Sequence, residues 1–315
     1  MSADDYLWEK SGAPDPEVAR LEALLSPLAH EAPLRQPRRR WPYVAAIVAA
    51  AAAVTFALWP REPSCDGRSG YAFSGDATCN GRAASAGTLP VGGHLETAAG
   101  SATLTIAQIG TADLGPHTRV RLVRSDAQHQ QLSLERGSMH ARVDAPPRLF
   151  AVSTPSAEVT DLGCEYRIAI DEHGAGSIDV LAGKVELATR SGGVVVAPVN
   201  THATILPGRA PGVPVGPGAS EALVAAVHEY ERGVPGAFDR VLQNAQVQDA
   251  ITLVAIGAID PSRRAAVLAR LAEISPPPGE VTVASATASA ADFATWRDDV
   301  VDTYVGLWAS PPKHP

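Results

Sequence analysis

Recognisable catalytic chemistry is what this 315-residue sequence has least of. No GxSxG, Walker phosphate loop, HExxH or paired CxxC occurs, so the common motif-bearing hydrolases, nucleotide enzymes and zinc sites find no footing. The expectation is a non-enzyme with no cofactor and no metal. Basic charge is also short: 26 Lys and Arg stand against 34 Asp and Glu, a net charge of −8. A chain that binds nucleic acid directly needs a basic surface to displace counterions, so no such partner is expected. Aromatics make up 5% and charged residues 19%, whereas 27 glycines and 26 prolines cluster in particular segments. Such a chain reads as modular, with short strands and linkers.

One long apolar run is present. Residues 41–59, WPYVAAIVAAAAAVTFALW, carry no charge, and as a helix they extend about 28 Å, close to the thickness of a hydrocarbon core. Trp41, Tyr43 and Trp59 sit where interfacial aromatics belong. A soluble-core helix with no polar face behind an arginine cluster is the rarer object, and a cleaved signal would have a shorter apolar region nearer the terminus and a small-residue cleavage site. The span therefore reads as a permanent transmembrane helix, residues 41–60. Arg35, Arg38, Arg39 and Arg40 precede it. By the positive-inside rule they hold residues 1–40 in the cytoplasm and export the rest, the topology of a single-pass inner-membrane protein with a periplasmic C-terminal part.

In the cytoplasmic tail, DPEVARLEALLSPL is a helix signal: Asp15 caps, Pro16 takes the first helical position and Glu17 faces the positive dipole end. Val18, Leu21, Leu25 and Leu28 share one face, with Leu24 beside them. A helix this short is marginal alone in water, so the stripe, with Trp8 as a second anchor, is a candidate contact for a cytoplasmic protein groove. On the exported side, residues 61–85 read as a juxtamembrane loop in which Cys65 and Cys79 can close a disulfide in an oxidising compartment or remain free thiols. Cys164 reads as a buried free thiol.

From residue 86 the period changes to two. SATLTIAQIG, RVRLV, QLSLERG, MHARV, EYRIAI, SIDVLAGKVELA and GVVVAPV are short alternating runs parted by turn residues, the pattern of an antiparallel β-sandwich or β-roll. Leu134 and Val180 are expected to face inward. His117, His129 and His140 are ordinary strand-surface histidines on this reading. The order GTLPVGGHLETAAGSATLTI, GTADLGPHTRVRLV, LSLERGSMHARV, FAVSTPSAEVTDLGCEYRI and IDVLAGKVELA resembles the FecR domain over about residues 86–190. Cys164 stands where that family typically has a threonine, LERGSMHARV resembles its strand–glycine–strand, and VLAGKVEL resembles its closing hairpin. The resemblance implies a single-pass regulator whose inner tail contacts a sigma factor and whose outer β domain senses an envelope ligand or protein.

Residues 191–219 extend the β domain, taken as 86–218, by two or three strands and a Pro/Gly linker. Beyond them, residues 219–315 turn helical. Phe293, Trp296, Val300, Tyr304 and Leu307 lie along one side of a final helix that starts at Ser289 and Asp292. The fold expected is mainly β plus α: an N-terminal cytoplasmic helix, one transmembrane helix, an exported FecR-like β domain and a small helical module. The function expected is a transmembrane signalling regulator. The alternative is a membrane-anchored envelope binding or scaffold protein that transmits nothing.

Overall fold

The computed structural model of the protein describes residues 15–28, 64–67, 70–190 and 192–308. The chain divides into two compact units, Met1–Pro60 and Arg61–Pro315. In the first, helix α1 (Pro16–Leu25) runs into a 3-10 turn over Ser26–Leu28. The span at residues 41–59 and its flanking Arg38, Arg39, Arg40, Trp41, Tyr43 and Trp59 lie outside the described residues. Among the described residues, no helix is long and apolar enough to cross a membrane.

The second unit is built first from strands, thirteen among the described residues: β1 (Tyr71–Cys79), β2 (Arg82–Leu89), β3 (His94–Ile106), β4 (Gly110–Leu114), β5 (Arg119–Ser125), β6 (Gln130–Val143), β7 (Phe150–Ser153), β8 (Glu158–Asp161), β9 (Glu165–Ile170), β10 (Gly176–Ala182), β11 (Lys184–Ala188), β12 (Val194–Pro198) and β13 (His202–Ile205). Alternation sets their inner faces, because successive side chains leave a strand on opposite sides. Leu104 and Ile106 on β3, Leu132 and Leu134 on β6, and Val180 on β10 are all buried.

The long strand β6 organises the sheet. Its first half pairs antiparallel with β5 (Val120↔Leu134) and parallel with β7 (Leu132↔Val152). Its second half pairs with β4 (Ala112↔Ala141) and β9 (Met139↔Ile168). Gly137 sits at the changeover with φ +94°, and a Cβ there would fall 2.3 Å from the Thr118 Cα. Only glycine permits both the backbone angle and that approach. The same strand thus serves two sets of partners. β1 and β3 also change register partway along their pairing, between Gly75 and Ala77.

Among the strands, two stretches differ from the sequence expectation. Residues 61–85, expected as a loop, contain β1 and the start of β2, and Tyr71, Phe73, Ala77 and Cys79 enter the core. Small residues dominate there, so burial alternates while hydrophobicity barely does. VLAGKVEL is not a hairpin: β10 pairs with β9 and β13, whereas β11 pairs with β8 and β12. Gly183, at φ +70°, redirects the chain between them, and a Cβ there would lie 2.1 Å from the Gly163 carbonyl oxygen.

The helices follow: α2 (Glu221–Glu231), α3 (Ala237–Asn244), α4 (Ala250–Ile259), α5 (Arg264–Ile274), α6 (Val283–Ala288) and α7 (Ala290–Trp308). Every residue of α4 from Ala250 to Gly257 is buried, as befits a helix apolar all round. Phe293, Trp296, Val300 and Tyr304 of α7 close over this core, but Leu307, expected on the same side, is 75% exposed because the packing ends before the last turn. Nor is the helical core a separate module. Val195 of β12 and Val213 belong to it, and α4 and α7 lie against β12, covering an edge strand that would otherwise offer unpaired backbone.

The Pro/Gly linker is likewise a packed strap. Residues 211–214 are buried, His202 and Val215 form a β-bridge, and the Thr252 hydroxyl donates to the Pro214 carbonyl at 2.8 Å. Valines between the prolines supply the apolar surface that a free linker would lack.

Candidate functional site

Helix α1 is locally specified. The Asp15 side chain accepts from the Glu17 N–H at 2.8 Å, its carbonyl accepts from the Ala19 N–H at 2.9 Å, and Pro16 follows where no donor is needed. The α-helix ends at Leu25, and Pro27 lies in the 3-10 turn that carries Leu28.

The helix buries none of its residues. Leu21 is 59% exposed, Leu24 70% and Leu25 55%, while Val18 is half-buried. These three leucines leave apolar surface exposed on one short helix. Of the other candidates, Leu28 is placed by the turn and Trp8 lies outside the described residues.

In the second unit, Cys65 and Cys79 are joined by a disulfide, with Cα atoms 6.3 Å apart. The Cys65 carbonyl also accepts from the Thr88 N–H at 2.9 Å, which fixes this crosslinked turn against β2. Cys164 is buried and free, and its thiol donates to the Asp161 carboxylate. Burial, then the adjacent Asp161 charge, pushes the thiol pKa far up, and burial raises Asp161 as well. A thiol held protonated in this way is no nucleophile.

Of the three histidines expected on strands, only His140 lies on one: His117, at φ +54°, sits in the turn before β5, and His129 in the loop before β6. His140 Nε2 lies 2.7 Å from Glu165, while Arg142 binds Asp113 at 2.7 Å and approaches Glu165 at 3.3 Å. His129 instead lies near Asp126, 3.6 Å away. Among the described residues, no group of three His, Cys, Asp or Glu side chains is arranged to hold a metal ion. The charged groups on β4, β6 and β9 form cross-strand ion pairs, which hold register more than they do chemistry.

Residues 94–186 match the family model FecR, described as FecR protein. The chain carries a FecR domain. The match runs from the first residue of β3 into β11, so β1, β2, β12, β13 and all the helices lie outside the FecR domain's matched region. Two solved structures of a protein from Parabacteroides distasonis ATCC 8503, titled provisionally as an anti-sigma factor and determined at 1.65 and 2.50 Å, are similar at 17% identity and a TM-score of 0.35. The likeness covers 43% of this chain and 64% of theirs, and it is too distant to bear on fold or function. No curated protein matches the chain significantly.

Sequence reasoning missed one feature. A cleft between β13 and α2 is lined partly by Val213 and Val215. It straddles the boundary drawn between the β domain and the helices, so no single stretch announces it. The valine alternation in GVPVGP was the available signal.

Proposed function

We propose that this chain is a FecR-like transmembrane regulator, not an enzyme. Its FecR domain and the helices packed on it respond to a ligand or protein in the bacterial envelope, and its N-terminal tail passes that state to a cytoplasmic partner, a sigma factor. The observation that carries this reading is the exposed leucine face of α1 in the same chain as a FecR domain. The uncharged span at residues 41–59, behind its arginine cluster, supports an N-terminus in the cytoplasm and residues 61–315 in the periplasm.

The test is capture of sigma factors by the full-length chain in membranes, compared with Leu21→Asp and Trp8→Ala. A charge at Leu21 puts an unpaired carboxylate into an apolar contact, so Leu21→Asp is expected to abolish capture and change transcriptional output while membrane insertion and the fold of the β domain persist. Unchanged capture and output in both variants would overturn the signalling role and leave a membrane-anchored scaffold.

A further inference from the structure

Between β10, β13, the strap at residues 206–219 and α2, the protein holds an open cleft of about 640 Å³. Its volume lies in the range of small-molecule sites, which are mostly apolar with a few placed polar groups. The walls follow that rule: Val213 and Val215 come from the strap, Val224 and Val227 from α2, and Trp308 stands at the end of α7. Trp308 is 42% exposed.

Beside the neutral Asn200, Thr201 and Thr204, the polar lining holds two histidines, His202 and His228, and two carboxylates. Asp179 and Glu231 line the cleft, and among the described residues lining it there is no lysine or arginine. Asp179 already has a partner, His202, at 2.7 Å. Among the described residues Glu231 has no such close ion pair: its carboxylate accepts from the Thr204 hydroxyl at 2.7 Å and the Val213 N–H at 2.8 Å, both neutral donors, and His228 and His202 act on it only through their charge. Burial raises the Glu231 pKa, and those two hydrogen bonds, with the charges of His228 and His202, offset the rise only in part. A half-buried carboxylate held in place by neutral donors beside an apolar cleft is matched by a ligand that brings its own positive charge.

We propose that this cleft is a binding site for small amphipathic cations, molecules with an aromatic or aliphatic body and one protonated amine. The apolar body fills the space between the valines and stacks on Trp308, and the ammonium group pairs with Glu231. Aromatic rings such as Trp308 also attract cations directly. The proposal goes beyond the signalling role, since occupancy of the cleft needs no cytoplasmic partner.

Calorimetric titration of the detergent-solubilised full chain with phenethylamine, phenethyl alcohol and hydrocinnamate tests it, because these probes share a body and differ in head group. Phenethylamine is expected to saturate one site and to bind at least about tenfold more tightly than the other two. Glu231→Gln, which keeps an acceptor oxygen, is expected to remove that preference. Val224→Trp, a half-buried position on the cleft wall, is expected to block all three probes, and unchanged circular dichroism would show that both variants fold. The proposal is overturned if phenethylamine does not saturate, if the three probes bind alike to the native chain, or if both folded variants bind phenethylamine as the native chain does.

Discussion

Gly137 and Thr118 occupy the same space to within a methyl group: a Cβ on Gly137 would lie 2.3 Å from both the Thr118 Cα and its hydroxyl oxygen. The Thr118 hydroxyl also accepts from the Ser138 N–H at 2.9 Å, so neither side can yield without disturbing the change of partners along β6. Gly137→Ala combines an unfavourable positive φ with a backbone collision. It is expected to destabilise the folded chain by more than about 2 kcal/mol, read as a fall in the denaturant midpoint.

Leu134, on the same strand, is fully buried. Leu134→Ala is expected to cost about 2–5 kcal/mol through lost transfer energy and a residual cavity. Val91→Ala, at a position 48% exposed, is expected to stay within about 0.5 kcal/mol. Equal effects in urea denaturation would contradict the inward assignment of Leu134.

The Cys65–Cys79 bond closes a sequence separation of 14, which on the chain-entropy account is worth about 3 kcal/mol. Cys65→Ser is expected to lower stability by up to that amount, with reductant adding nothing further to the variant. Alkylation distinguishes the third cysteine: buried Cys164 is expected to react only on unfolding.

Acid titration separates carboxylates by their surroundings. Asp126 accepts from the Gln128 N–H, is hydrogen-bonded by Arg124 and accepts from the His129 N–H, in that setting holding a pKa of about 2. The unfolded value is about 3.9. The folded value is the lower one, so the contribution is fully present above about pH 4 and is lost as pH falls through 2. Asp126→Asn is expected to narrow its stability gap from the native chain across that window. Glu231 and Asp161 are shifted the opposite way by burial, so their contribution rises as pH falls through their folded values. Carboxyl chemical shifts followed by NMR check both directions.

Much of the β domain could be read from sequence because Leu104, Ile106, Leu132 and Leu134 are large residues alternating with polar ones, and the inner face shows in composition. The first two strands escaped notice because only Tyr71 and Phe73 are large there: Ala77 and Cys79 complete the buried face of β1 with little apolar surface, and β2 buries only Leu89. The separation of β10 from β11 was also hidden, since a glycine between two alternating runs serves a hairpin and a crossover equally well. The α1 stripe was legible through its helical spacing and Asp15–Pro16 start. The cleft was not, because Asp179, Val213 and Glu231 are far apart in the chain and meet only through packing.

The Cys65–Cys79 bond also sets a load path. Tension applied to the chain ahead of Cys65 reaches the strands at Cys79, which pairs with Arg82 of β2 and Leu95 of β3. The intact bond bypasses the start of β1, so a pull does not peel that strand away from Tyr71 onward. In the reduced chain the same pull would enter at Tyr71 and unzip the strand one pair at a time. The crosslink therefore makes the point where force enters the domain a matter of redox state.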